Sequence, residues 1–320
     1  MRKTHLMGLA IIAVVVVLAV GAVSAYADIT TDSQAPTTTT NAVASYWNTA
    51  AITAAATDNE GIAYIYNKVD GGPARLTIVS GKPASAQTTI PAAADLPLSA
   101  GTHTVKYWAQ DVNGNVEAQN TLTFTLAVDT AKPVTAATGA TDGGWYKAGV
   151  TVHLAAVDGN GESGVKELTY SLDSASPITG AATADVDVPA TAGAHMITYH
   201  ATDVAGNVEA DRMFTVNIDT SKPVTSASAA SVVRGRSATL KYKVTETGAN
   251  AGKATVLIQV RNRSGKVVAT VKAGVVSVNV TQSAKFTCKL AKGAYTFSVY
   301  ATDVAGNTQS KAGSAKLTVK

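Results

Sequence analysis

The stretch "YATDVAGNTQS", Tyr300–Ser310, closes a strand-like run with Asp303, Gly306 and Asn307 in a tight cluster. It recurs as "HATDVAGNVEA" at His200–Ala210 and as "WAQDVNGNVEA" at Trp108–Ala118. The match extends backwards: "GTHTVKYWAQDVNGNVEA" begins at Gly101, "GAHMITYHATDVAGNVEA" at Gly193 and "GAYTFSVYATDVAGNTQS" at Gly293, with offsets of 92 and 100 residues. An interval of that size is one domain length. The chain repeats a module three times.

Alternation sets the face of each strand. His103, Val105, Tyr107 and Ala109 share one face; so do His195, Ile197, Tyr199 and Ala201, and Tyr295, Phe297, Val299 and Ala301. This face is expected to be the core. It reads His103 and His195 as strand residues in separate copies, matched by Tyr295 in the third, and not as a metal pair. His153 and His200 are likewise isolated. The glycines Gly114, Gly206 and Gly306 suit the positive φ of a tight hairpin, and Asp111, Asp203 and Asp303 suit bonding to backbone N–H groups two or three residues on. The repeated cluster is therefore expected to be a hairpin corner.

Upstream, "AAITAAATDNEGIAYIYNKVDGG" and "GVTVHLAAVDGNGESGVKELTYSLDS" each give a strand, an acidic Gly-rich loop and a second strand, and "SATLKYKVTETGANAGKATVLIQVRNRSG" keeps the strands with a less acidic loop. About seven short strands per copy predicts an all-β fold of three tandem immunoglobulin-like β-sandwiches after an N-terminal signal segment. The boundaries fall at 1–27, 28–130, 131–220 and 221–320. Linkers "VDTAKPVT" and "IDTSKPVT" carry Pro133 and Pro223, which predict semi-rigid joints. Residues 1–27 combine Arg2 and Lys3, an apolar run and small residues, the layout of a cleaved signal peptide or, uncleaved, of a single-span anchor. Export follows from either. Cys288, the single cysteine, leaves no internal disulfide, and alternation in "KFTCKLAKG" puts it on an apolar face.

The elements "ATDVAGN", "LTYSLD" and "IDTSKPVT" resemble the bacterial Ig-like repeats of secreted and cell-surface proteins, from about Gln34 to Lys320. The resemblance implies an immunoglobulin-like sandwich serving in spacing, adhesion or binding. It is closest in the second copy; the first carries an insertion around "RLTIVSGKPASAQTT" and the third lacks the Y-x-x-D element.

No nucleophile elbow, zinc helix, Cys/His cluster or phosphate loop occurs, so the expectation is a protein that is not an enzyme. Two binding features stand out. Asp158, Asn160 and Glu162 of "DGNGES", with Asp203 and the linker Asp129, offer hard oxygen ligands for Ca²⁺ at the first joint. That loop departs from the helix–loop–helix calcium pattern at Ser163 and Thr169. The second feature is charge. Residues 28–130 carry four Lys+Arg against nine Asp+Glu, residues 131–220 four against eleven, and residues 221–320 sixteen against two, hence −5, −7 and +14. Lys241, Lys243, Lys285 and Lys289 are predicted to share an outer sheet face that would take an anionic cell-wall polymer, polysaccharide or membrane surface. Nucleic acid is the weaker choice, because no aromatic ring interleaves these lysines. The sequence thus points to a secreted or cell-surface spacer and adhesion module with a cationic C-terminal domain. The alternative is a carbohydrate-binding accessory protein working beside a secreted enzyme, resting on Trp108, since Trp47 and Trp145 match each other near the domain entrances and read as packing residues.

Overall fold

The computed structural model describes residues 32–91, 95 and 97–320. The expected signal segment lies outside the described residues. The chain divides into two compact units, one comprising residues up to Ala42, Ala51–Leu96 and Thr104–Thr123, the other Val43–Ala50, Pro97–His103 and Phe124–Lys320. Among the described residues no helix is long and apolar enough to cross a membrane.

Strands of the first copy are β1 (Thr37–Thr40), β2 (Ser45–Trp47), β3 (Ile52–Thr57), β4 (Ile62–Val69), β5 (Arg75–Ile78), β6 (Ser85–Ile90), β7 (Gly101–Asp111) and β8 (Asn120–Ala127). In the first unit β3 lies between β1 and β6, and β4 between β5 and the main part of β7, all antiparallel. Ala56, Ile62, Ile65 and Ala109 form a buried cluster there. In the second unit β2 runs parallel to the end of β8, and the Tyr46 ring meets Phe124 edge-on with centroids 5.3 Å apart.

The rest of the second unit holds the other two copies. The second has β9 (Val134–Thr138), β10 (Gly144–Tyr146), β11 (Val150–Val157), β12 (Val165–Leu172), β13 (Ile178–Gly180), β14 (Thr183–Val188), β15 (Gly193–Asp203) and β16 (Arg212–Ile218). The third has β17 (Val224–Ala227), β18 (Ala230–Val232), β19 (Ser237–Thr245), β20 (Lys253–Arg261), β21 (Val267–Ser277), β22 (Thr281–Thr287), β23 (Gly293–Asp303) and β24 (Gly313–Val319). Each copy makes one sheet of three strands, β14-β11-β9 or β17-β19-β22, and one of five, β10-β16-β15-β12-β13 or β18-β24-β23-β20-β21. This order is that of an immunoglobulin-like sandwich.

Eight strands per copy replace the expected seven because the first strand is broken in two. Its first part, β9 or β17, pairs antiparallel with the second long strand, and its second part, β10 or β18, crosses to run parallel with the last strand. Gly139 and Gly143, both at positive φ, allow the crossing in the second copy. The stretch read as an insertion in the first copy is the pair β5 and β6, which β13/β14 and β21/β22 match.

The alternating strand is built as its pattern dictates. Val105 and Ala109, then Ile197, Tyr199 and Ala201, then Phe297, Val299 and Ala301 are buried. His103 and His195 are buried polar members of this face, and each ring bonds a backbone carbonyl four residues earlier: His103 Nε2 to Ser99 O at 2.7 Å and His195 Nε2 to Thr191 O at 2.8 Å. Tyr295 donates its hydroxyl to Ala291 O at 2.9 Å, so a different ring makes the same corner. Cys288 is a fully buried free thiol within the third core, beside Leu240, Phe297 and Leu317.

Candidate functional site

Each copy gathers its acids at one end. The hairpin Asp ends strand β7, β15 or β23; an acid directly follows β3, β11 or β19, namely Asp58, Asp158 or Glu246; and an Asp four residues before a proline enters from the linker, namely Asp32, Asp129 or Asp219. The linker Asp makes the same local turn every time, with Oδ1 accepting the N–H two residues on at 2.9 Å from Gln34, Ala131 or Ser221.

The asparagine of the repeated hairpin links these acids. Asn115 Nδ2 donates to the Asp32 carbonyl at 3.0 Å and to Asp111 Oδ2 at 2.7 Å. Asn207 Nδ2 donates to the Asp129 carbonyl at 3.1 Å and to Asp203 Oδ2 at 2.8 Å. Asn307 Nδ2 donates to the Asp219 carbonyl at 2.7 Å and to Asp303 Oδ2 at 2.9 Å. The other oxygen of each hairpin Asp accepts the N–H of that Asn, four residues on, at 2.7–2.8 Å, with Asn113 adding a bond two residues on in the first copy. The cluster is a hairpin corner that also clamps the linker.

A second link was not foreseen from the sequence. Glu117 accepts the N–H and hydroxyl of Thr38 at 2.9 and 2.6 Å, and Glu209 accepts those of Thr135 at 3.0 and 2.6 Å. Both threonines stand two residues after the linker proline. In the third copy Gln309 takes the glutamate's place and turns to its own sheet, bonding Ala301 N and Val299 O, while Thr225 donates to Val299 O. Spacing alone held the signal: D-x-x-x-P-x-T in the linker and D-x-x-G-N-x-E or Q in the hairpin recur in step, starting at Asp32 and not only at the two linkers.

At the first joint Asp129, Asp158 and Asp203 each place a carboxylate oxygen within 4.8 Å of the others. Asp129 Oδ2 accepts Ser163 N and Asp158 Oδ2 accepts Gly164 N, both at 2.8 Å, while Asp158 Oδ1 is covered and has no hydrogen-bond partner. The Ser163 hydrogen bonds hold the Asp129 carboxyl below its ordinary range. Asn160 is exposed, and Glu162 turns onto the Gly159 N–H. In the first unit Asp32, Asp58 and Asp111 form the same kind of group. At the second joint Glu246 is buried, 5 % exposed, with neither carboxylate oxygen hydrogen-bonded. Burial, then Asp303 and Asp219, push its carboxyl up to about 7.

The structure resembles several solved proteins. The fibronectin(III)-like modules of Clostridium thermocellum CbhA are 16% identical over 58% of this chain and 94% of that one, with a TM-score of 0.35. A bacterial ice-binding adhesin is 15% identical over 87% and 95%, TM-score 0.35. The Escherichia coli adhesin FdeC is 16% identical over 89% and 96%, TM-score 0.40. No protein-family model matches the sequence, and no curated protein matches it. The fold is tandem and immunoglobulin-like.

The predicted lysine face lies on the sheet β17-β19-β22. Strands β19 and β22 are antiparallel neighbours, and Lys241 stands opposite Ser283, Lys243 opposite Thr281 and Thr239 opposite Lys285. Lys241, Lys243 and Lys285 therefore each stand opposite a hydroxyl, which separates like charges. Lys241, Lys285 and Lys289 are exposed; Lys243 is half-buried, and Lys289 lies just past the end of β22. Among the described residues, no Lys or Arg of 221–320 forms an ion pair. A second basic concentration, missed in the sequence, surrounds an open groove of about 420 Å³ on the other sheet, lined by Arg263, Lys316, Tyr295 and Asn262, with Lys292 beside it.

Trp108 has aromatic company on the outer face of the first copy. The Tyr66 ring stacks on it with centroids 5.2 Å apart and planes 6° from parallel, and Tyr64 follows at 6.1 Å from Tyr66. His153 pairs with Asp185 at 2.6 Å and His200 with Asp211 at 2.8 Å, so both read as histidine–carboxylate surface pairs and not as lone residues.

Proposed function

We propose that this chain is a non-enzymatic, exported spacer and adhesion module whose third copy binds anionic surface polymers. The observation that carries the reading is the set of sixteen Lys and Arg in residues 221–320, none of them neutralised by an ion pair, with Lys241, Lys285 and Lys289 exposed beside one sheet face. Such a field attracts polyanions and is screened by salt. Binding of the full chain to cell-wall fragments and to anionic vesicles, measured across a salt series, tests it. Affinity is expected to fall steeply with salt and to drop about tenfold or more when Lys241, Lys243, Lys285 and Lys289 are all changed to Gln. Binding unaltered by salt and by the four changes would sink the reading.

Ca²⁺ at the first joint belongs to the same proposal. Asp129, Asp158 and Asp203 supply carboxylates, and the unpartnered Asp158 Oδ1 gives the ion an oxygen that no N–H already occupies.

Carbohydrate binding is the second reading, and the Tyr64–Tyr66–Trp108 row favours it. Tyr66 already covers one face of the indole, which halves the area on which a sugar could stack. Glycan binding that survives high salt and disappears in Trp108→Ala would select this reading over the first.

A further inference from the structure

The two acids of the third copy sit together, at one end of its sandwich. Asp303 closes β23, and Glu246, which follows β19, interacts electrostatically with it. Residues 221–320 hold no other Asp or Glu. Strand β23 runs from Gly293 to Asp303, so its opposite end lies about 30 Å away at the ordinary rise per residue. The groove of about 420 Å³ opens at that far end, lined by Asn262, Arg263, Tyr295, Thr296, Ser314 and Lys316. Lys292 borders an adjoining recess that shares Asn262, Arg263 and Tyr295 with it. Among the described residues, Arg263, Lys292 and Lys316 form no ion pair.

The turn that presents Arg263 is fixed from several sides. Asn262 Oδ1 accepts the Ser264 hydroxyl at 2.8 Å and the Lys266 N–H at 3.0 Å, and Arg261 donates to Gly265 O at 2.9 Å and to Gln259 Oε1 at 2.6 Å. Arg261 is thus committed to the turn, while Arg263 is exposed within it. The Tyr295 ring is anchored as well, by its hydroxyl on Ala291 O at 2.9 Å. A groove held in shape before its ligand arrives loses less entropy on binding. Its cations are no requirement of the fold: Lys316 stands opposite Thr296 across β23 and β24, and at the matching point of the second copy Thr215 stands opposite Met196.

We propose that this groove binds a carboxylated polysaccharide, with Arg263 and Lys316 taking sugar carboxylates and Tyr295 walling a sugar ring. A guanidinium can meet a carboxylate through two parallel N–H bonds. The Asn262 amide and the Thr296 and Ser314 hydroxyls offer partners to sugar hydroxyls. A polyphosphate would use the cations alone, whereas cations joined to an amide, hydroxyls and an aromatic wall suit a sugar acid. This site rests on the polyanion reading for the sign of its ligand, but it lies on the five-stranded sheet, and Lys241, Lys243 and Lys285 belong to the three-stranded one.

The test is calorimetric titration of a galacturonic acid oligomer into the full chain at about 150 mM salt, with its fully methyl-esterified form and inorganic polyphosphate as comparison ligands. One variant combines Arg263→Gln with Lys316→Gln. A control pair, Lys253→Gln with Lys311→Gln, removes the same charge away from the groove, and a third variant changes Lys241, Lys243, Lys285 and Lys289 to Gln; circular dichroism checks folding. Wild type is expected to bind the acid oligomer about tenfold or more tighter than the ester or polyphosphate. The groove pair is expected to lose about tenfold or more, and the other two variants less than about threefold. Loss confined to the four-lysine variant would overturn the groove and leave the polyanion reading standing. Equal losses in the groove and control pairs, or polyphosphate bound as tightly as the acid oligomer, would also overturn it, because charge alone would then explain the binding. So would a wild-type chain that binds no acid oligomer, while the cell-wall and vesicle titrations judge the polyanion reading separately. Should the groove pair fail to fold, Arg263→Lys decides: an affinity equal to wild type rejects the bidentate contact.

Discussion

Single side chains decide how each module meets its linker. Asn307 is the clearest case, because one amide serves the Asp219 carbonyl and Asp303 Oδ2 in a buried position. Asn307→Ala would strand both acceptors, and we expect a loss of about 1–3 kcal/mol in the denaturant unfolding of the third copy. Asn113→Ala in the first copy, two residues before the matching Asn115 and exposed, should cost far less than Asn115→Ala. His195 makes a pH-dependent contribution. The Asp173 carboxylate, 2.7 Å away, is the main cause of its raised pKa, with the Thr191 carbonyl helping and burial opposing. Protonation is therefore favoured in the folded state. The added stability is complete below the ordinary histidine value of about 6.5 and fades as pH rises through the higher folded value. Melting temperatures across this window should fall with rising pH in wild type and lose that slope in Asp173→Asn.

Strands show where the sequence spoke plainly and where it did not. Period-two alternation identified the faces of β7, β15 and β23 because each has one side in the core, and a shift of one residue would expose every apolar side chain. The division of the first strand was not legible, since β10 and β18 are three-residue pieces whose pattern is too short to carry a period. Asn207 is legible in the sequence as part of the turn, yet its hold on the linker is not, because it depends on the Asp129 carbonyl 78 residues away, which shares no local pattern with it. Strand β21 makes a separate prediction. Its pairing with β20 slips between Val256 and Leu257, where Gly274 sits at a φ of 76°. Gly274→Ala would place a side chain in the left-handed region and is expected to cost about 1–2 kcal/mol in equilibrium unfolding.

For the whole molecule, the uneven charge matters more than the net value of +4. Residues 28–130 and 131–220 carry −5 and −7, while 221–320 carry +14. Oppositely charged regions on one chain attract those of another, so concentration-dependent association is expected at about 20 mM salt and dissociation at about 500 mM, where the screening length is about fivefold shorter. Sedimentation velocity at the two salt concentrations checks this, and a sedimentation coefficient independent of both salt and concentration would contradict it.

The parallel pairing of β10 with β16 and of β18 with β24 has a mechanical consequence. Each pair joins the strand near a module's entrance to the strand at its exit. When the two ends are pulled apart, these strands slide along each other and their hydrogen bonds are strained together, in shear, instead of parting one by one as a zipper does. The Asn207 and Asn307 clamps add a fastening where tension enters each module. A chain fastened in this way resists extension at the place where a tether under flow would first yield.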